Sequence, residues 1–122
     1  MTVLDERENK STKPPFEESV LNDLYAASLQ FGNNWRKPII RLTEELYPHM
    51  PPKEQKELAD YIEDVRRTIE EYVYNGYYNK YKNDTETLQK ITTLFIEKEY
   101  SWMNSHNIGH AISQGIYYAW RG

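Results

Sequence analysis

"LADYIEDVRRTIEEYV", residues 58–73, decides the fold. Its apolar positions, Leu58, Tyr61, Ile62, Val65, Ile69, Tyr72 and Val73, step by three and four. That spacing draws one stripe along a helix, whereas a strand would alternate every second residue. Upstream, Pro51 and Pro52 fit the first turn of this helix, where a missing N–H costs nothing. Downstream, Asn75-Gly76 predicts its end or its weakening. A long amphipathic helix in a chain of 122 residues needs other helices to cover its stripe.

The flanking segments supply them. Before the long helix, Val20, Leu24, Ala27 and Phe31 recur at helical spacing, with Leu21, Tyr25 and Ser28 alongside. Gly32 predicts the stop of that helix, and Asn33 or Asn34 the cap of the next. There Trp35, Ile39, Leu42 and Leu46 form the apolar side, until Pro48 ends it. After the long helix, Asp84 caps a fourth, carrying Leu88, Ile91, Phe95 and Trp102, with Thr92, Ile96 and Met103 beside them. A fifth starts at Ser105 or Asn107 and runs to about Trp120, with Ile108, Ile112, Ile116 and Ala119 on one side. Nothing reads as a strand, and there is no internal repeat. The expectation is an all-α, single-domain bundle of about five helices over 16–122, preceded by a flexible arm over 1–15.

Composition narrows the function classes. Cysteine is absent, which excludes disulfides, thiolate zinc sites and cysteine nucleophiles. No stretch approaches the ~20 apolar residues of a membrane span, and the polar start lacks the apolar centre of a secretory signal. A cytoplasmic protein is the expectation. The net charge of −4 argues against a nonspecific grip on nucleic-acid phosphates. Tyrosine is the anomaly, with eleven residues.

Five of these tyrosines crowd into "EYVYNGYYNKYK", residues 71–82. Tyr72 belongs to the stripe. If the helix continues through Gly76, Tyr74, Tyr77, Tyr78 and Tyr81 point away from the core; if it breaks, they form a loop. Tyrosine is a large, low-entropy contact surface enriched at protein interfaces. Beside Lys80 and Lys82 the same rings can stack the bases of a single strand, with Arg36 and Lys37 as further cations. On the long helix Glu57, Asp60, Asp64 and Glu71 line one exposed flank, with Arg67 among them. Such a row is either a solvated face or an acidic ridge for a basic partner. Arg36 and Lys37 stand at the start of the second helix, where the dipole opposes cations by a few tenths of a kcal/mol.

"SHNIGHAISQ", residues 105–114, raises a metal question. His106 and His110 share a face at i, i+4, but that face lies opposite Ile108, Ile112, Gly115 and Ala119. The position after the first histidine is Asn107, not the glutamate base of a metalloprotease. A third ligand from His49, Glu97 or Glu99 would be needed for catalytic zinc. No metal and no cofactor is expected, and a metal-dependent hydrolase built on this pair is the enzyme alternative. Gly109 falls in the first turn, where it costs little. Gly115, on the apolar side, predicts close approach of another helix.

"FGNNWRKPIIRLTEELYP", residues 31–48, followed by the acidic long helix, resembles the small all-α immunity proteins of bacterial toxin systems. That likeness is one of character and assigns no residue. It implies a non-enzymatic protein, monomeric or dimeric, that inhibits by covering the basic active site of a cognate toxin. From the residues, the expected contact surface is Tyr74, Tyr77, Tyr78 and Tyr81 with Glu57, Asp60, Asp64 and Glu71. The remaining alternative is a nucleic-acid-associated regulatory module built on the Tyr/Lys cluster of residues 74–82.

Overall fold

The computed structural model describes residues 15–30 and 37–121. Of the arm expected over 1–15, residues 1–14 lie outside the described residues, as do Phe31, Gly32, Asn33, Asn34, Trp35 and Arg36. Among the described residues there are five α-helices and no strand. They are α1 (Glu18–Leu29), α2 (Ile39–Leu46), α3 (Pro52–Gly76), α4 (Thr85–Glu99) and α5 (Ser105–Arg121), with a π-helical turn, Tyr77–Tyr81, continuing α3. No helix among the described residues is long and apolar enough to cross a membrane.

The long stripe organises the bundle, because α3 touches each of the other four helices. Leu58, Ile62, Val65, Ile69 and Val73 are buried as the spacing predicts, with Ala59 added. Tyr61 and Tyr72 sit at the edge of the stripe, half-buried. The Tyr61 hydroxyl accepts from Trp102 Nε1 at 2.8 Å. Tyr72 stacks on Phe95 of α4, ring centroids 4.1 Å apart and planes 11° from parallel.

The α-helical register ends at Gly76, where Asn75-Gly76 predicts an end or a weakening, but the chain stays helical through the π turn. A Cβ placed on Gly76 would lie 2.7 Å from Leu88 Cδ1, so the glycine admits a fully buried leucine of α4. Gly115 meets its expectation: a Cβ on it would stand 3.2 Å from three carbons of Val73. These two glycines let α4 and α5 close on the same end of α3.

Elsewhere the structure moves boundaries. α2 begins at Ile39, after Pro38, because proline disfavours a helical residue before it. Lys37 therefore precedes the helix, and its ammonium pairs with Glu45 at 3.0 Å. Leu46, expected inside, is exposed; Thr43 takes the buried position and donates its hydroxyl to Ile39 O at 2.8 Å. Asp84 does cap α4, with one carboxylate oxygen accepting from Thr87 N at 3.2 Å and the other from the Thr87 hydroxyl at 2.7 Å. Trp102 and Met103 are buried, but they lie in the loop after α4 rather than on it. In α5 the capping side chain is Asn104, whose Oδ1 accepts from Asn107 N at 2.8 Å.

Candidate functional site

Large apolar side chains are exposed at seven described positions, and five of them are Tyr74, Tyr78, Tyr117, Tyr118 and Trp120. All five belong to the C-terminal end of α3, its π turn, and the last two turns of α5. Tyr74 and Tyr78 lie 4.7 Å apart between ring centroids. The Tyr78 hydroxyl donates to Ala119 O at 2.6 Å, fastening this pair to α5. There Tyr117 contacts Tyr118 and Trp120, at 5.7 and 6.2 Å, and the Arg121 guanidinium lies over the Tyr117 ring.

The π turn sorts the tyrosine cluster. With i→i+5 bonding the chain turns more slowly than an α-helix. Tyr77 enters the core, only 5% exposed, and Tyr81 packs half-buried against it. Tyr74 and Tyr78 stay outside. The expectation that all four point away from the core therefore holds for two of them.

Beside this end lies a cleft of about 590 Å³ between the C-terminus of α1, the middle of α3 and the end of α5. Tyr74 and Tyr118 wall it, Gly115 and Ala119 line it, and Lys37, Arg66, Arg67, Glu70 and Glu71 bring charge to it. Four of these charges are already answered. Lys37 pairs with Glu45, Arg66 Nη2 with Glu70 at 2.9 Å, and Arg67 Nη2 with Asp64 at 3.5 Å. Arg66 Nη1 also donates to Ser28 O at 3.0 Å, which occupies one of the carbonyls at the C-terminal end of α1. Glu71 has no ion-pair partner among the described residues.

The acidic row is laddered in part by its own helix. Asp60 accepts from Lys56 at 2.8 Å and Asp64 faces Arg67, whereas Glu57 and Glu71 pair with no cation among the described residues. Asp60 and Asp64 thus carry local partners. Of the row, Glu71 reaches the cleft and adjoins the exposed rings.

The remaining candidates do not converge. His106 is exposed and His110 half-buried, ring centroids 6.3 Å apart. Gln114 Nε2 lies 3.2 Å from His110 Nε2 and also donates to Leu29 O, so the second histidine serves a tie between α5 and α1. His49, Glu97 and Glu99 do not join the pair: no group of three potential metal ligands forms among the described residues. Lys80 lies over its neighbour Tyr81 at 5.5 Å and lines a shallower hollow with Tyr72 and Ile91, while Lys37 lines the main cleft. A continuous basic track would need these two lysines together.

Sequence reading missed Tyr117, Tyr118 and Trp120 as members of the patch. Their signal was present, since Tyr117 projects with the polar side of α5; the fold sets Tyr118 on the cleft beside Tyr74, and Tyr117 and Trp120 adjoin Tyr118 along α5. It also missed Asn22 and Asn107. Asn107 is 1% exposed and donates to Asn22 O and Oδ1, both at 3.0 Å. Asn22 in turn donates to Trp102 O at 2.8 Å and accepts from Asn104 N at 2.9 Å. This clasp fixes α5 against α1. The chain matches no protein-family model, no curated protein and no solved structure.

Proposed function

We propose that this is a non-enzymatic binding protein that inhibits a partner protein by covering it, as immunity proteins cover the basic active site of a toxin. One observation carries the reading: Tyr74, Tyr78, Tyr117, Tyr118 and Trp120 gather, exposed, on one end of a small bundle. Tyrosine and tryptophan are the residues that anchor interfaces, since they desolvate large areas for little rotamer entropy. Carboxylates of Glu57 and Glu71 without local cations, and a net charge of −4, favour a basic partner and speed its encounter. A cytoplasmic site of action belongs to the same reading.

The test is co-expression with a basic toxin domain identified from a neighbouring gene or by affinity capture with this chain. A one-to-one complex that survives gel filtration, with toxin activity abolished, is the expected result. Trp120→Ala should then weaken the complex about 30-fold or more, as a central aromatic anchor does, with the thermal midpoint of the free chain unchanged. A toxin that keeps full activity beside an equimolar amount of this protein overturns the reading.

A further inference from the structure

We propose that the cleft between α1, α3 and α5 is a receptor for a single arginine side chain presented by the partner. The inference rests on the protein-binding reading above and assigns the chemistry of its central contact.

Charge decides the occupant. Among the described groups lining the cleft, the Lys37 ammonium and the Arg66 and Arg67 guanidinium groups each already face a carboxylate. Both Arg66 terminal nitrogens are engaged, by Ser28 O and Glu70, and its Nε is buried from solvent without an acceptor. An incoming carboxylate or phosphate would meet cations whose charge is already shared with Glu45, Glu70 and Asp64, and would add a second anion to each pair. Glu71 is the reverse case, a carboxylate with no cation among the described residues. An apolar occupant would strip water from that carboxylate without replacing it, which is costly. A cation would answer it.

Shape decides which cation. Tyr74 and Tyr118 face the same space, and Gly115 and Ala119 add almost no bulk between them. A guanidinium is planar, stacks on aromatic faces and grips a carboxylate through two parallel N–H bonds. A lysine ammonium matches the charge of Glu71 but has no plane to stack on an aromatic ring and no fork for the two carboxylate oxygens. About 590 Å³ accommodates the whole side chain with room for bridging water.

The full chain is titrated with the peptide acetyl-Gly-Arg-Gly-amide, and the ring resonances of Tyr74 and Tyr118 are followed by NMR. Saturable shifts at those two rings are expected, with the citrulline and lysine counterparts binding at least about fivefold more weakly. Glu71→Gln should weaken the arginine peptide about tenfold, Tyr118→Leu about fivefold, and Glu63→Gln, on an exposed residue outside the cleft, not at all. Glu71 is exposed, so its variant keeps the fold, as an unchanged thermal midpoint will show. Equal binding of arginine and citrulline or of arginine and lysine, indifference to Glu71→Gln, or absence of saturable shifts overturns the proposal. A toxin complex that forms while the peptide fails removes the arginine anchor alone. Failure of the toxin complex removes the broader reading, whatever the peptide does.

Discussion

Gly109 and Gly115 sit six residues apart on α5 and answer to opposite physics. A Cβ on Gly109 meets nothing within 4 Å, whereas one on Gly115 presses on Val73, which is fully buried. Gly109→Ala should therefore stabilise the fold by up to ~1 kcal/mol through helix propensity. Gly115→Ala should destabilise it by about 1–3 kcal/mol, and the double variant with Val73→Ala should recover part of the overpacking loss. Denaturant melts of the variants check both signs. Gly115 was legible from sequence because its neighbours on one helix face are apolar. Gly76 was not, because the reason for it, Leu88, is on another helix. Tyr77 escapes the sequence pattern for a similar cause. Its inward turn depends on the π register, and no residue type in "NGYYNKY" announces one.

Among the elements, α4 owes its start to a visible device. The hydroxyl of Thr87 and then its backbone N–H hold the Asp84 carboxyl below its ordinary value of 3.8. A carboxyl lowered in the folded state contributes stability that is complete above 3.8 and lost as pH falls through its folded value. Asp84→Asn keeps a side-chain acceptor for the cap but cannot titrate. Its thermal midpoint should fall less steeply than that of the natural chain below pH 3.8, a comparison scanning calorimetry makes directly. Asp84 was legible because capping is a local rule. Hydrophobic spacing at Trp35 and Ile39 places the start of α2 too early, since it outweighs the simpler steric fact of Pro38. Likewise the α4 pattern carries Trp102 along although the helix stops at Glu99; its burial comes from Tyr25, Tyr61 and Tyr100, which surround it.

For the molecule as a whole, the tyrosines divide into structural and exposed classes. Burial pushes the hydroxyls of Tyr25, Tyr61, Tyr100 and Tyr47 above the ordinary value of 10.0. A group raised in the folded state contributes stability that is complete below 10.0 and lost as pH climbs through its higher folded value. Spectrophotometric titration should thus show a late tyrosinate class from these four side chains, appearing together with alkaline unfolding. A single wave, with the helical signal intact throughout, would contradict the buried set. The exposed class is where the functional account stands. Tyr74 and Tyr78 were readable as excess aromatic content on one element; the exposed rings of α5 lie at the same end through the contact of α3 with α5, where Tyr78 bonds Ala119 O and Tyr118 shares the cleft with Tyr74. Hydroxyl-radical footprinting tests the claim before any partner is identified, by comparing the purified tag-free chain with the same chain in lysate of the cell that encodes it. The account predicts selective protection in the lysate at Tyr74, Tyr78, Tyr117, Tyr118 and Trp120, with exposed Leu94 and Leu46 unchanged. Unaltered reactivity at the five rings, or protection centred on Leu94, would contradict it.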